Sequence, residues 1–528
     1  GDCAARYTAR GNEVPALEEE LESAAQLRER WRSVYVIYFT MFQMSLGFSI
    51  VLTGVWPYLD KVTDSSKEAL GLAVGASPLG QLIASPLLGL WANRSGGARA
   101  PVLTSLIVFV LASLLYANLH MARPHAHRAM LVARTLVGVS SANVAVARSY
   151  LSAATRESER TRAVAGLSLA QVLGFVVGPA LQAAAAPLGP GEAYAESELA
   201  PRLDMYTAPG WINALLGTIN VLLFLPFCFK ERKIAAREAM IAQGKDTEKE
   251  ALKAMKPDLV SSWTLVAAFF VLVFNFVLLE TLATSLTMDQ FGWSKRQALE
   301  YMGALMSAGA LLACVVFALI TPLTRFFEER SLLLWGGFLL TGLASMLCIP
   351  WGPSGPPLAP PEAREAGGGC PARTQPWCLT TRGLTLPQFF LGYTCVSIGY
   401  PLGVTLIQTI FSKVLGPRPQ GVWMGVLTGA GCVARALGPV FVATVYARRG
   451  PDATFGATAA FTFCALISLR LVYARLSPRG AAAPPVALEL RSLNNVLEAP
   501  NKFLLSIHGR THHRRRFLCF FFVNSLIK

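Results

Sequence analysis

A chain of 528 residues that is 53% hydrophobic, only 15% charged and formally +15 does not read as a soluble enzyme. Ordinary globular domains carry about a quarter charged residues, so the shortfall fits a chain that keeps most of its length in lipid. Much of the Lys and Arg lies in connections and tails, which reads as membrane orientation and sets nucleic acid aside as a partner.

A membrane span needs about 20 mostly apolar residues. Residues 1–33 form a polar N-terminal segment that ends on Arg28, Arg30 and Arg32. Six apolar runs follow at about 34–57, 68–91, 101–120, 129–152, 163–186 and 208–229, within a first bundle over 34–229. A charged linker covers 230–262. Six more runs follow at about 263–286, 298–320, 331–350, 384–410, 421–446 and 452–475, within a second bundle over 263–476. Residues 477–528 make an irregular tail, and its apolar run 517–523 is too short to span. The tail reads as a mispredicted terminal exon, and the Gly start as a missing true N-terminus. The expected class is an all-α membrane protein of twelve transmembrane helices in two six-helix bundles, because open strands would leave backbone groups unsatisfied in lipid.

The basic residues set the orientation. Arg28 to Arg32, then Arg156, Arg160 and Arg162, then the linker cations fall on one side of a twelve-span chain, which is placed in the cytosol. The acidic loop with Glu192, Glu196, Glu198 and Asp204 falls on the other side. So does the loop 351–383, where Cys370 and Cys378 are expected to pair if the loop faces an oxidising lumen. Arg123, Arg128, Arg448 and Arg449 break the pattern.

Several motifs sit on particular spans. Gly89-Leu90-Trp91-Ala92-Asn93-Arg94-Ser95-Gly96 follows span two. Arg134 and Gly138 lie four apart in span four. Gly174-x-x-x-Gly178-Pro179 lies in span five, and Gly438-Pro439 closes a similar run in span eleven. Small residues let helices approach closely, and Pro bends a helix. Gly399-Tyr400-Pro401 in span ten offers a gating bend.

These motifs resemble the signatures of the major facilitator superfamily. The resemblance covers about residues 27–476 and implies that superfamily's fold, with two six-helix halves. Asn93 stands where the superfamily usually has Asp, which removes one charge from a gate there. Further stretches, including Asn143 to Val146 and Leu415 to Val422, resemble a branch whose relatives sit in lysosomal membranes and to which chloride conduction is ascribed. No acidic dileucine sorting signal is visible near the start of the chain.

Few ionisable residues enter the apolar runs, and each is a functional hypothesis, since such a charge costs about 2.5–3.5 kcal/mol on insertion scales. Arg134 lies about one and a half turns into span four, Glu280 deep in span seven and Arg435 near the middle of span eleven. The resemblance implies that spans one, four, seven and ten line a cavity, which brings Arg134 and Glu280 to a pathway. Ionised together, the three sum to a positive charge, which favours anions. The same arginines also read as helix fasteners, and Glu280 as a salt bridge to Arg435, a satisfied helix contact or a pH-sensing carboxylate. Gln43 and Gln388 are candidate substrate contacts or helix-to-helix hydrogen bonds. Arg148 reads as a cation snorkelling to a cytosolic helix end.

The chain has no P-loop, HExxH, G-x-S-x-G or paired metal-ligand spacing. No catalytic residue, cofactor or metal is expected. The expected function is that of a transporter or channel in an endolysosomal membrane, and the expected partners are the lipid bilayer and a small molecule or ion, above all an anion such as chloride. An organic-solute carrier working by alternating access is the alternative. A non-transporting interaction protein is the third reading, and only the linker favours it. The sequence gives no oligomeric state.

Overall fold

The computed structural model describes residues 22–52, 58, 67–122, 125–189, 203–245, 247, 250, 258–359, 369–372 and 375–476. The expected acidic residues Glu192, Glu196 and Glu198, the loop residue Arg123, the linker cations Lys249, Lys253 and Lys256, and the tail 477–528 lie outside these ranges.

The described chain is helical, with one isolated bridge between Leu358 and Cys370. Its long helices are α1 (Ala24–Leu52), α2 (Lys67–Ser95), α3 (Arg99–Ala117), α4 (Ala126–Ala154), α5 (Glu157–Ala185) and α6 (Ala208–Leu223). After the linker come α7 (Leu259–Phe291), α8 (Lys295–Phe326), α9 (Glu329–Leu347), α10 (Leu386–Leu415), α11 (Gly421–Phe441) and α12 (Ala447–Leu471). Each overlaps one of the twelve apolar runs; among the described residues nine helical stretches are long and apolar enough to cross a membrane, with α11 and α12 continuous in one of them and α6 a shorter apolar helix. The linker also holds a short helix, Ala235–Gln243, that the charge pattern does not announce.

Local chemistry sets the helix ends. Asp258 caps α7 by accepting from the Val260 and Ser261 amides. Ser294 and Gln297 form a reciprocal capping box at α8. Gly450, at φ 77°, supplies the left-handed turn that folds α12 back from α11, with Pro451 next to it. Two π-helical stretches, Leu333–Leu339 in α9 and Val442–Tyr446 after α11, interrupt otherwise regular spans.

Glycine sets the closest helix contacts. A Cβ on Gly174 would sit 2.3 Å from the Phe42 carbonyl, and one on Gly178 would collide with the Ser49 hydroxyl of α1. Ser49 Oγ itself donates to the Gly174 carbonyl at 3.2 Å. A Cβ on Gly138 would meet the Ser77 carbonyl of α2. Pro179 lies one residue beyond Gly178 within α5.

The linker-bearing end of the first half is fastened by charge. Arg30 is fully buried and pairs with Glu22 at 2.6 Å and Glu159 at 2.9 Å. Glu29 binds Lys230 and Arg232, each at 2.7 Å. The basic residues that oriented the chain are therefore also its clasps.

The two halves meet at this same end. Gly89 of α2 and Gly421 of α11 are in backbone contact, so a Cβ on Gly89 would sit 2.1 Å from the Gly421 carbonyl. Ser152 of α4 and Ser412 of α10 share a hydrogen bond of 2.9 Å. Thr161 of α5 donates to Glu329 of α9, which also holds Lys413 at 2.8 Å. Ala165, Val316, Phe317, Ile320 and Leu402 form an apolar cluster across α5, α8 and α10.

At the other end the described parts of the loop 351–383, residues 351–359, 369–372 and 375–383, pack against the second half. Cys370 and Cys378 form a disulfide there. Trp377 is buried, stacks edge-on against Tyr446 at 5.2 Å and lies against Gly450. Tyr446 donates to the buried Asp289 at 2.8 Å. Gln290 accepts from the Leu384 amide at 2.8 Å.

Candidate functional site

The chemistry-bearing residues converge between the halves. On α11, Thr428, Cys432 and Arg435 are spaced i, i+4 and i+7, so they share one face. The first two show where that face points. Thr428 accepts from the Arg148 guanidinium of α4 at 3.1 Å, and the Cys432 thiol donates to Gln81 of α2 at 3.3 Å. Gln81 in turn donates to the Ser141 carbonyl at 3.1 Å. Arg435 therefore continues a face turned toward the first half. Pro439, four residues on, removes the amide that would bond the Arg435 carbonyl.

The second half closes the rest of the site. Glu280 lies one turn beyond Phe276 on α7, and Phe276 stacks on Tyr400 of α10 at 4.2 Å. Arg435 is near enough to act electrostatically on both Glu280 and Arg148, and Tyr400 feels all three charges. Tyr393, two turns earlier on α10, feels Glu280. Gly399 and Pro401 flank Tyr400. A Cβ on Gly399 would lie 2.7 Å from Thr341 Oγ1, against the π-helical stretch of α9. The bend at Pro401 thus sits beside the aromatic wall.

Neither Glu280 nor Arg435 forms a hydrogen bond or an ion pair among the described residues, and both side chains are exposed. Among the described residues Arg148 bonds to Thr428, and its buried Nε has no partner there. Two guanidinium groups against one carboxylate leave a local charge of one positive unit. Surplus positive charge that opens onto the space between the halves draws a counter-anion there.

The sequence reading grouped Arg134 with Glu280 and Arg435, and the structure separates them. Arg134 is 1% exposed within the first half. Its guanidinium lies over Phe48 at 5.3 Å, and its carbonyl accepts from Ser77 at 2.8 Å. A cavity of about 10 Å³ beside it is lined by Gly47, Ser113, Tyr116 and Asn213, all from the first half. Arg148 takes the place expected of Arg134. The expectation that Arg148 snorkels is corrected, because its side chain crosses to the second half.

Gln43 and Gln388 are occupied elsewhere. Gln43 is fully buried and accepts from Asn220 of α6 at 2.6 Å. Gln388 caps the start of α10, accepting from the Thr385 amide at 3.1 Å. Both serve helix packing rather than the shared space.

The motif after α2 works as a helix-end contact. Asn93 Oδ1 accepts from the Gly421 amide at 2.8 Å, so it caps α11 across the halves. Arg94 is exposed in the last turn of α2. Gly438 on α11 lies against Val277 of α7, 2.9 Å from an added Cβ.

With this geometry in hand, known proteins place the chain. Residues 37–359 match the family described as Major Facilitator Superfamily. The chain is 38% identical over 486 residues to major facilitator superfamily domain-containing protein 8 of Xenopus laevis, covering 87% of this chain and 94% of that protein. Its fold resembles the crystal structure of the human organic anion transporter MFSD10 (TETRAN), with a TM-score of 0.59 at 20% identity, over 83% of this chain and 99% of that one. It also resembles the E. coli fucose:proton symporter FucP, with a TM-score of 0.58 at 13% identity, over 84% and 99% of the two chains.

Proposed function

The chain belongs to the major facilitator superfamily and is a multi-pass membrane transporter rather than an enzyme, and we propose that it moves a small anion, chloride foremost, through the space between its halves. One observation carries this reading. Arg435 faces that space with no ion-pair partner among the described residues, and with Arg148 it outweighs Glu280. A cavity with surplus positive charge raises the local concentration of anions.

We place the protein in the endolysosomal membrane. The disulfide Cys370–Cys378 lies on the face away from the linker, which suits an oxidising lumen. The halves would work by rocking about the site. Gly89, Asn93, Gly421 and the Ser152–Ser412 bond then form the cytosolic closure, and Gly399 with Pro401 supplies the bend. Arg134 holds α4 against α1 and α2 and shapes the potential from inside the first half.

A carrier of an organic anion is the second reading. The wall of Phe276, Tyr393 and Tyr400 favours it, because chloride needs no aromatic surface. The similarity in fold to a human organic anion transporter points the same way.

The test is patch-clamp of enlarged lysosomes expressing the chain, with chloride replaced by larger anions. Currents that follow the anion gradient and fall in Arg435→Gln at equal protein abundance support the reading. Anion-independent behaviour, or an unaltered Arg435→Gln, contradicts it.

A further inference from the structure

We propose that Arg148 and Arg435, one from each half, are joint ligands of a single monovalent anion, with the Phe276–Tyr400 stack and Tyr393 forming the wall beside it. This rests on the anion reading of the same site. It adds a ligand from the first half and fixes the valence.

Three observations lead there. The α11 face carrying Thr428, Cys432 and Arg435 is pinned to the first half by Arg148 and Gln81, so Arg435 emerges two turns along that face from Thr428, near enough to act electrostatically on Arg148. The two like charges act on each other, yet neither has a carboxylate paired to it among the described residues. Arg148 Nε is buried without a partner among the described residues, although a guanidinium offers five donors.

The charge balance sets the valence. With Glu280 ionised, the two cations and its carboxylate leave one positive unit, which one monovalent anion neutralises and a dianion would overfill. A planar guanidinium fork also suits a carboxylate, which it binds through two parallel hydrogen bonds. Because the ligands come from α4 and α11, the site is complete only while the halves are together at the linker end. Their separation there parts Arg148 from Arg435 and weakens the hold on the anion. Thr428 keeps Arg148 in place while the site is formed.

The test measures anion binding to the purified full-length chain by thermal shift, titrating sodium chloride or sodium benzoate against sodium sulfate at matched ionic strength. Wild type is expected to be stabilised by the monovalent anions over sulfate. Tighter binding of benzoate assigns carboxylates, and tighter binding of chloride assigns halide. Arg148→Gln and Arg435→Gln should each raise the Kd by about tenfold or more, the scale of one lost charge-assisted hydrogen bond. If Arg148→Gln does not fold, Arg148→Lys is read instead, with about a threefold loss for benzoate because the planar fork is gone. Weakening in Arg435→Gln with wild-type affinity in the Arg148 variant overturns this inference and leaves the transport reading standing. No preference of wild type for monovalent anions overturns both.

Discussion

Asn93 at the end of α2 accepts a 2.8 Å hydrogen bond from the Gly421 amide at the first turn of α11. That bond joins the two halves through a helix N-terminus, where unsatisfied amides and the positive end of the helix dipole favour an acceptor. The superfamily's usual Asp would add charge to this bond, and Asn keeps the geometry without it. The contact therefore stabilises the closed linker end without locking it.

Substitution at Asn93 should shift that balance. Asn93→Ala removes the cap and should favour opening of the linker end by about 1 kcal/mol. Asn93→Asp should shift it the other way by a few tenths to about 1 kcal/mol. A single cysteine placed on the α10–α11 connection reports the change through its rate of labelling from the linker side. Equal labelling in all three forms would show that the bond does not govern opening.

Gly89→Ala is a harsher change. Its Cβ would lie 2.1 Å from the Gly421 carbonyl, a backbone atom that no rotamer change can move. Separation of α2 from α11 should cost about 1–3 kcal/mol and reduce transport. Gly303→Ala is the control, since nothing lies within 4 Å of its added Cβ and alanine favours a helix interior. Normal transport by Gly89→Ala would mean that α2 and α11 do not meet here.

Much of this was legible in the sequence, for identifiable reasons. The apolar runs marked all twelve helices because lipid leaves few alternatives to a helix. The glycines at 89, 174 and 178 marked real close approaches. The Thr385-x-x-Gln388 pattern is a capping box, and reading it as one would have kept Gln388 out of the pathway. Arg148 was not legible. Depth in a span follows from counting residues, but the partner on the opposite half does not, and Thr428 lies 280 residues away. Gln43 was ambiguous for the same reason, since only the fold brings Asn220 beside it. The π-helical stretches in α9 and after α11 leave no periodic signal distinct from an ordinary helix.

The disulfide should matter chiefly to its loop. Cys370 and Cys378 are 8 residues apart, so the bond closes a small ring and should contribute about 2–3 kcal/mol by chain entropy. Cys378→Ser should release Trp377 from Tyr446 and Gly450, and trypsin should then cut at Arg382 faster from that face. Unchanged cleavage would show that packing alone holds the loop.

The linker helix should confer a pH dependence of its own. Burial raises the pKa of Glu238 above the ordinary carboxylate value, while the Glu157 amide, donating to its Oε2 at 3.1 Å, opposes the rise. A raised pKa in the folded state means that this group's contribution is greatest below its unfolded pKa. The contribution is lost as pH climbs through the folded value. As pH rises above the ordinary carboxylate pKa, wild type should therefore lose melting temperature relative to Glu238→Gln. Parallel melting curves for the two proteins would contradict this.

The central claim is that an anion passes between two halves that must part at the linker end. Ser152 and Ser412 face each other there at 2.9 Å, close enough for paired cysteines to bridge. Anion flux into proteoliposomes should be abolished in oxidised Ser152→Cys/Ser412→Cys protein and restored by dithiothreitol. Undiminished flux through the bridged protein would contradict the account, because the anion would then cross without the halves ever separating.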